Sequence, residues 1–318
     1  MILITGGLGY LGGRLSKVLI SKGFKVRITT SRTNPLIPPE LSSCEIIKID
    51  LTKISSIDKA CKGIKTIIHL ASLNSSQCER NPKEAENINT FGALNLLKSA
   101  KKNLVKKFLY FSTAHVYGSN LNGVITENSP TLPLSAYALS HKAAEDFVIN
   151  FNTEGELNTS IFRLTNVVGS PLSQYANCWM LIANDLCRKI ASNQKVILHS
   201  DKLTIRDFIT MDDLLESTIF YTNAKNPLMS GEVINISSGV PLSLEYLSNL
   251  LKDRASIILN KKINIEFKNL SNKKADNLFS ISNQKAVDFG MTFNNSLLFE
   301  IDSMLLKYES WFGDSPAQ

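Results

Sequence analysis

Short apolar runs alternate with amphipathic stretches between Ile2 and Thr165. The apolar runs are bounded by turn residues and predict buried strands, and the stretches between them have helical spacing. The predicted strands are Ile2–Ile4, Val26–Thr29, Glu45–Ile49, Thr66–His69, Lys107–Ser112 and Ser160–Arg163, and the predicted helices are Gly12–Lys22, Ser56–Ala60, Pro82–Lys102 and Ala136–Asn152. Buried strands joined by helices imply a parallel sheet covered on both faces, and right-handed crossovers make it a doubly wound α/β fold.

The alternation ends near Gly169-Ser170-Pro171, and a different order of elements follows. The pattern there predicts helices over 179–192, 242–252 and 297–308, and strands over 196–198, 232–236 and 264–267. We expect residues 1–168 to form the doubly wound domain, with a strand over 232–237 returning to its sheet. Residues 169–318 are expected to form mainly a smaller C-terminal lobe.

The composition is that of a globular protein, with 43% hydrophobic and 20% charged residues in a chain of 318. No stretch approaches the ~20 apolar residues that a membrane span needs, so no membrane association is expected. No cationic segment precedes the first apolar run. The sequence therefore predicts no signal peptide and a cytoplasmic protein.

The five cysteines are scattered without a C-x-x-C pair, and the four histidines form no H-E-x-x-H motif. This pattern predicts reduced structural cysteines and no metal site. The net charge of +7 is accompanied by no long Lys/Arg block and no aromatic strip, so no nucleic-acid partner is expected. A mild positive balance also suits an enzyme whose ligands are phosphate anions.

A glycine-rich turn follows the first predicted strand and opens the first predicted helix, with the sequence Thr5-Gly6-Gly7-Leu8-Gly9-Tyr10-Leu11-Gly12. Gly6 permits a tight turn, Gly9 lets backbone N–H groups approach a pyrophosphate, and Gly12 allows close helix–strand packing. The helix N-terminus, at Tyr10 and Leu11, favours the same anion. We therefore expect residues 1–168 to be a dinucleotide-binding Rossmann domain. A merely structural glycine turn is the alternative.

The end of the second predicted strand lacks the acidic residue that usually holds the adenosine ribose of NAD. The stretch there is Arg27-Ile28-Thr29-Thr30-Ser31-Arg32. The hydroxyl of Ser31 and the guanidinium of Arg32 suit a 2′-phosphate, which predicts NADP as the cofactor, with NAD as the alternative. An ordinary solvated loop arginine is the other interpretation of Arg32.

Further motifs follow in order along the chain: Asp50-Leu51, His69-Leu70-Ala71-Ser72, Asn89, Phe111-Ser112-Thr113-Ala114-His115-Val116-Tyr117-Gly118, Tyr137-Ala138-Leu139-Ser140-His141, Arg163-Leu164-Thr165-Asn166-Val167-Val168-Gly169 and Arg206-Asp207-Phe208-Ile209. With the glycine turn, they resemble the extended short-chain dehydrogenase/reductase family, the NAD(P)-dependent epimerases and dehydratases of nucleotide sugars. The resemblance covers nearly the whole chain.

The resemblance implies a role for each of these positions. The residues implied to contact the cofactor, besides the glycine turn, are Asp50, Leu51, Leu70, Ala71, Ser72 and Asn89. Tyr137 is implied to be the catalytic acid/base, and Thr113 its partner at the reacting oxygen. Asn166 and Arg206 are implied to bind the substrate, Arg206 at its diphosphate, although a surface pair of Arg206 with Asp207 is the alternative.

Position 141 departs from the family's Tyr-x-x-x-Lys pattern, because His141 lies four residues after Tyr137 and Lys142 comes next. On an α-helix, position i+4 lies ~40° from Tyr137 and i+5 lies ~140° away, so Lys142 is not expected to replace the missing lysine. We expect His141 to contact the cofactor and to stabilise a phenolate less than an ammonium would. A local distortion that lets Lys142 supply the cation is the alternative.

A second departure concerns dehydration. In the family's 4,6-dehydratases the active-site Thr is followed by Asp-Glu, which perform the water elimination, whereas Ala114-His115 follows Thr113 here. A 4,6-dehydratase is therefore not expected. His115 is interpreted as a substrate-binding residue or, alternatively, as a satisfied structural histidine.

These observations predict an NAD(P)-dependent epimerase or 4-ketoreductase that acts at C4 of a nucleotide-activated sugar, in surface-polysaccharide synthesis by resemblance. One alternative is a cofactor-bound sensor or scaffold with weak catalysis, which the residue at position 141 permits. Another is a reductase of a different small carbonyl compound. The helices over 82–102 and 136–152 resemble those that form a dimer interface in the family, so a homodimer is expected.

Overall fold

The computed structural model describes residues 1–153, 156–223, 229–268, 278–294 and 296–313. Its strands are β1 Ile2–Thr5, β2 Val26–Thr30, β3 Glu45–Lys48, β4 Thr66–His69, β5 Lys107–Thr113, β6 Gly123–Ile125, β7 Asn158–Leu164, β8 Asn166–Val168, β9 Val196–Leu198, β10 Ile205–Thr210, β11 Val233–Ile236, β12 Pro241–Ser243, β13 Ile265–Phe267 and β14 Phe279–Ile281. Its α-helices are α1 Tyr10–Ser21, α2 Ile54–Cys61, α3 Ser75–Arg80, α4 Pro82–Ala85, α5 Gly92–Lys102, α6 Ala136–Asn150, α7 Ile182–Ala191, α8 Met211–Asn223, α9 Leu244–Leu259, α10 Gln284–Asp288 and α11 Leu297–Phe312. The 3₁₀ turns Pro39–Leu41 and Ala114–Tyr117 and the π-helical turn Glu86–Phe91 lie between them.

Seven parallel strands form the central sheet in the order β11-β7-β5-β4-β1-β2-β3. The order runs outward in both directions from β1, so the predicted doubly wound α/β fold is confirmed. β1 is completely buried because both of its faces are covered. Ile4 packs in one apolar cluster with Leu15 of α1, and Leu3 packs in a second cluster with Leu96 of α5.

The predicted strands of the first half agree with the structure to within two residues at each end. The helix predicted over 82–102 is confirmed in its bounds, and within it the chain widens into the π-helical turn over Glu86–Phe91 between α4 and α5. The sequence misses α3, α8, α10, β10 and several three-residue strands. A three-residue strand is too short to show an alternating period, which explains the misses at β6, β8, β12 and β14.

The second half returns one strand to the central sheet, since Val233–Ile236 pairs in parallel with β7 and places Val233 opposite Ile161. A third apolar cluster joins α7, α9 and α11 around the fully buried Tyr308. The helix predicted over 242–252 begins later and runs to Leu259, after the short strand β12. The division of the chain at residue 168 stays a prediction.

None of the helices in the described part of the chain is both long and apolar enough to cross a membrane.

A buried ion pair fastens α6 to the central sheet. The fully buried carboxylate of Glu145 accepts two hydrogen bonds from the Arg163 guanidinium of β7, at 2.9 and 2.7 Å, and one from the Ser112 hydroxyl of β5, at 2.6 Å. Arg163 also donates to the Tyr117 hydroxyl at 3.0 Å, and that hydroxyl donates to Asn235 of β11 at 2.7 Å. Because each charge is paired and the partners belong to different elements, this network sets the position of α6 relative to three strands.

Glu145→Ala is expected to lower the free energy of unfolding by about 3–5 kcal/mol, because it leaves the Arg163 guanidinium buried without a counter-charge. Urea denaturation at pH 7 measures the loss. Asp146→Ala is the matched control, since it removes an exposed ion pair with Lys142 on the same helix and is expected to cost less than about 1 kcal/mol. A loss for Glu145→Ala as small as that of the control would contradict the anchoring role.

Candidate functional site

The carboxyl ends of the parallel strands meet along one edge of the central sheet. The glycine turn follows β1 there, Ser31 follows β2, Asp50 follows β3, Leu70 follows β4 and Thr113 ends β5. Residues that lie far apart in the sequence therefore converge on this edge. The sequence predicts cofactor contacts for all of them except Thr113.

The glycine turn has no room for a larger residue at several positions, among them Gly6 and Gly12. Gly6 has a φ of +69°, in the left-handed region, and a Cβ on it would lie 3.2 Å from the backbone of Ala71. A Cβ on Gly12 would lie 2.2 Å from the carbonyl oxygen of Gly6, so the start of α1 packs directly on the turn. No side chain caps the N-terminus of α1. The turn therefore fits the pyrophosphate of a dinucleotide, which takes the place of a side-chain cap.

The residues that open α1 offer their backbone to this site. Tyr10 and Leu11 carry N–H groups at the N-terminus of the helix, where an anion is favoured, whereas the N–H of Gly9 donates to the carbonyl oxygen of Gly6 at 2.8 Å. The Tyr10 phenol is committed elsewhere, because its hydroxyl lies 3.1 Å from the carbonyl oxygen of Val167 and 3.0 Å from that of Gly169. Tyr10 thereby links α1 to the second half of the chain.

Thr5 holds the segment after β4 against the glycine turn. Its hydroxyl oxygen accepts hydrogen bonds from the N–H groups of Leu70 and Ala71, both at 3.1 Å, and lies 2.6 Å from Nδ1 of His69. The hydroxyl therefore donates its own proton to Nδ1, and the neutral His69 carries its proton on Nε2. Burial lowers the pKa of His69 to about 3. Ser72 follows as an exposed residue of the same segment.

The residues after β2 and β3 lie on the surface beside this segment. Ser31 and Arg32 are exposed, and the Arg32 guanidinium is accessible to a phosphate group. The Asp50 carboxylate accepts hydrogen bonds from the N–H and the hydroxyl of Thr52, at 2.9 and 2.6 Å, and these bonds lower the pKa of Asp50. Leu51 is buried beneath it.

Tyr137 and Thr113 meet at the same edge of the sheet. Ser135 caps α6 by accepting a hydrogen bond from the N–H of Ala138 at 3.1 Å, which places Tyr137 in the first turn of the helix. The Thr113 side chain is a neighbour of the Tyr137 hydroxyl. Burial raises the pKa of Tyr137 to about 12, the neighbouring Cys78 adds to the rise, and the Thr113 hydroxyl opposes it. A phenol in this state is a good hydrogen-bond donor but needs help to act as a base.

His141 packs against Tyr137, whereas Lys142 points away from it. The rings of Tyr137 and His141 are 4.2 Å apart, and Nδ1 of His141 lies 2.9 Å from the carbonyl oxygen of Tyr137. A carbonyl only accepts, so Nδ1 carries the proton and Nε2 is the unprotonated nitrogen. Burial lowers the pKa of His141 to about 4, so the ring is neutral at pH 7. Lys142 is paired with Asp146, as the helical spacing predicts.

Asn89 links three segments of the site from within the π-helical turn. Its buried Oδ1 accepts a hydrogen bond from the N–H of Leu73 at 2.7 Å, and its Nδ2 donates to the Ser140 hydroxyl of α6 at 3.1 Å. The neighbouring Thr90 donates to the carbonyl oxygen of Ser140 at 2.9 Å. π-helical turns of this kind occur frequently at functional sites. The carboxamide of Asn89 thus positions α6, and its predicted contact with a cofactor stays a prediction.

A cavity of about 600 Å³ opens beside the Tyr137–Thr113 pair. Its wall combines residues of both halves of the chain, among them Thr113, His115, Asn166 and Arg206. The His115 ring meets the Tyr137 ring edge to face at 6.2 Å, so Tyr137 lies next to the part of the wall that His115 forms. The structure therefore brings Thr113 and the predicted substrate-binding residues around one space, with Tyr137 adjacent to it and His141 not part of its wall.

Asp207 links several segments of the cavity wall through hydrogen bonds. Its buried carboxylate accepts hydrogen bonds from the Thr165 hydroxyl at 2.6 Å and from the N–H and hydroxyl of Ser238, at 2.9 and 2.8 Å. Asn166 donates to the Asp207 carbonyl oxygen at 2.9 Å. The Asp207 carboxylate is thus occupied by neutral donors, and the exposed side chain of Arg206 lines the cavity.

Sequence reasoning missed the groups that hold this site together. Glu145 occupies a core-facing position of α6, and a charged residue in an otherwise apolar face is the signal that could have indicated it. Thr204 and Phe279 of the cavity wall carried no such signal. Phe279 lies in a three-residue strand whose only described strand partner, β6, is equally short.

The chain matches the model of the NAD dependent epimerase/dehydratase family over residues 2–237. The "Putative UDP-glucose 4-epimerase" of Methanocaldococcus jannaschii is 27% identical over 259 residues, which cover 79% of this chain and 81% of that protein. The dTDP-D-glucose 4,6-dehydratase of Homo sapiens is 30% identical over 164 residues, 52% of this chain and 45% of that protein. The crystal structure of UDP-glucose 4-epimerase from Thermotoga maritima with UDP-glucose has a TM-score of 0.84 and 22% identity, and the match covers 98% of this chain and 99% of that one.

His141→Gln is expected to flatten the loss of stability at acidic pH. The unfolded chain takes up a proton on His141 near pH 6.5, but the folded chain does so only near pH 4, so the wild type loses stability as the pH falls between these values. One such proton contributes about 1.4 kcal/mol per pH unit. Urea denaturation at pH 7, 6, 5 and 4 measures the slope. His199→Gln, at an exposed histidine, is the control, and equal slopes for the two variants would refute a buried neutral His141.

Proposed function

The chain belongs to the NAD-dependent epimerase/dehydratase family, and on this basis we propose that it is an NAD(P)-dependent 4-epimerase of a nucleoside-diphosphate sugar. The observation that carries the proposal is the juxtaposition of the Tyr137 and Thr113 side chains beside the cavity. Oxidation of a sugar alcohol requires the hydroxyl to lose its proton, and re-reduction on the other face requires that proton to return. Two hydroxyls that share one oxygen of the substrate suit both steps. A role in surface-polysaccharide synthesis stays a prediction.

The residues around Tyr137 divide the work of the reaction. Tyr137 exchanges the proton of the C4 hydroxyl, and Thr113 orients the oxygen that carries it. Nε2 of His141, which is unprotonated, would be an acceptor for a hydroxyl of the bound cofactor. When bound in the glycine turn, the nicotinamide dinucleotide supplies the acceptor and donor of the hydride. The absence of a carboxylic acid at Ala114 supports epimerisation rather than dehydration.

The cavity supports a sugar nucleotide as the substrate. Arg206 offers a guanidinium suited to a diphosphate, and Asn166 and Thr204 offer polar groups for phosphate or sugar oxygens. The location of Arg206 on β10, away from the glycine turn, separates the substrate site from the cofactor site. The volume of about 600 Å³ falls in the range of small-molecule sites.

We also propose that the protein is a homodimer through the region of α5 and α6. Phe91, Leu139 and Ile149 are large apolar residues in or beside these helices, and each is more than 40% exposed. Large apolar side chains that are exposed on neighbouring helices suit coverage by a partner.

The proposed function is tested by incubating the protein with UDP-, dTDP-, GDP- and CDP-sugars and each nicotinamide cofactor. The expected result is a C4 epimer formed without net change in nicotinamide absorbance, as seen by NMR of the product. Net oxidation of the reduced cofactor would instead identify a reductase, and a 4-keto-6-deoxy product a dehydratase. Cofactor binding without turnover of any sugar nucleotide would favour the sensor or scaffold.

Two variants show whether the reaction uses the residues named above. Tyr137→Phe is expected to abolish epimerisation, because it removes the hydroxyl that exchanges the proton. Arg206→Ala is expected to raise KM for the sugar nucleotide while leaving cofactor affinity unchanged. A collapse of cofactor binding in Arg206→Ala would show that Arg206 has a structural role.

NADP(H) is expected to bind more tightly than NAD(H), because Ser31 and Arg32 stand where an acidic residue would repel a 2′-phosphate. A charge-assisted phosphate contact contributes about 1.5–3 kcal/mol, or roughly tenfold to a hundredfold in affinity. Calorimetry on the wild type and on Arg32→Ala measures the preference, which the variant should lose. Equal affinity of the wild type for the two cofactors would contradict NADP preference.

His141→Lys is expected to lower the kinetic pKa of Tyr137, below which kcat/KM falls, because a permanent cation stabilises the Tyr137 phenolate more than a neutral imidazole does. A pH–rate profile of wild type, His141→Lys and Lys142→Ala measures it. The last variant is the control, since Lys142 pairs with Asp146 away from Tyr137. Inactivity of Lys142→Ala with an unchanged profile for His141→Lys would overturn the assignment.

A further inference from the structure

His115 differs from the other histidines of the chain in its access to the cavity. It lies in the 3₁₀ turn that follows β5, two residues after Thr113, and it is exposed on the cavity wall. The backbone N–H of His115 donates a hydrogen bond to the Thr113 hydroxyl oxygen at 3.2 Å, which fixes the turn. His69 and His141 are buried with one ring nitrogen hydrogen-bonded, and His199 is not part of the cavity.

The His115 ring is a base whose nitrogens form no hydrogen bond with the residues that the structure describes. The groups that face it are the Tyr137 ring at 6.2 Å, the buried His141 and the guanidinium of Arg206. Desolvation in the cleft and the positive charge of Arg206 both lower the pKa of His115. The ring is therefore neutral at pH 7 and has one unprotonated nitrogen available.

Tyr137 and Thr113 determine which hydrogen of the substrate is acidic enough for His115 to remove. Tyr137 and Thr113 would bind the oxygen of a C4 ketone, the oxidised form of the substrate in the proposed function. A hydrogen on a carbon next to a ketone is acidic, because the electron pair left behind is delocalised onto the ketone oxygen. Hydrogen bonds from Tyr137 and Thr113 to that oxygen stabilise the resulting charge.

We propose that His115 is a second acid/base residue, which removes and returns a proton on the carbon next to the ketone of a nucleoside-diphosphate 4-keto sugar. The C–H bond breaks, its proton passes to the unprotonated nitrogen of His115, and its electron pair forms the C=C bond of an enol or enolate. The reverse step restores the ketone, so no oxidant or reductant is consumed. The inference rests on the proposed function, because it is that reaction which presents a ketone to this cavity.

The residue before His115 explains why the proton returns instead of a hydroxyl leaving. Elimination of water needs an acid that protonates the departing hydroxyl, and Ala114 offers only a methyl group on the cavity wall. A base without a neighbouring acid returns a proton to the face from which it removed one, so the carbon exchanges its hydrogen and keeps its configuration. The site is thus suited to proton exchange at C3 or C5.

The experiment supplies the ketone directly, so that it does not depend on hydride transfer. UDP-4-keto-6-deoxyglucose is incubated in D₂O with the protein and oxidised cofactor, and ¹H NMR and mass spectrometry follow deuterium at C3 and C5. The wild type is expected to accelerate exchange over buffer at one of these carbons. His115→Gln is expected to lose about 10²–10⁴-fold of that rate, because an amide is not a base.

Matched variants separate basicity from shape. His115→Glu is expected to restore most of the exchange that His115→Gln loses, since the two side chains are almost equal in size and only the carboxylate is a base. His199→Gln, outside the cavity, is expected to exchange at the wild-type rate. Exchange by the wild type no faster than buffer, or equal rates for the wild type and His115→Gln, would overturn the proposal.

The outcomes for this proposal and for the proposed function are distinct. Epimerisation of a sugar nucleotide together with no exchange on the added ketone would leave the proposed function standing and refute the role of His115. Exchange on the added ketone without epimerisation of any sugar nucleotide would support the role of His115 and refute the 4-epimerase.

Discussion

The position of α6 depends on the buried ion pair between Glu145 and Arg163, and the candidate active site depends on α6. The pair lies where two unpaired charges would be strongly unfavourable, so helix and strand are held in the one arrangement that satisfies both. Ser112, which shares the Glu145 carboxylate, immediately precedes Thr113. The same contact that fixes the helix therefore also fixes the end of β5, and the Tyr137 and Thr113 side chains are brought next to each other.

The electrostatics around Tyr137 differ from those that a lysine at position 141 would create. Burial raises the pKa of Tyr137 to about 12, and the adjacent His141 is neutral because burial lowers its own pKa to about 4. The residue after His141 is a lysine, but the ammonium group of Lys142 pairs with Asp146 and not with Tyr137. The phenol is thus stabilised in its protonated form in the absence of ligands. Proton exchange by Tyr137 then depends on charges and hydrogen-bond donors of the bound substrate and cofactor that stabilise the phenolate.

The cavity is built from both halves of the chain, and its chemistry is asymmetric. The part of the wall beside Tyr137 carries the neutral His115, and another part carries Arg206, next to Asp207, which is held by Thr165 and Ser238. The guanidinium of Arg206 favours a negatively charged group. In the proposed function, this division would place the phosphates of the substrate at Arg206 and its uncharged sugar beside Tyr137.

The sequence alone determined the doubly wound sheet, because buried strands and helices differ in period, and it determined the glycine turn, because only glycine fits where Gly12 packs on Gly6. It also indicated that Lys142 points away from Tyr137, since helical spacing is local. The tertiary structure alone decided that Glu145 anchors α6, that Asn89 is committed to Leu73 and Ser140, and that His115 opens onto the cavity. Each of these depends on contacts between residues far apart in the chain, and a local pattern carries no information about which distant groups will meet.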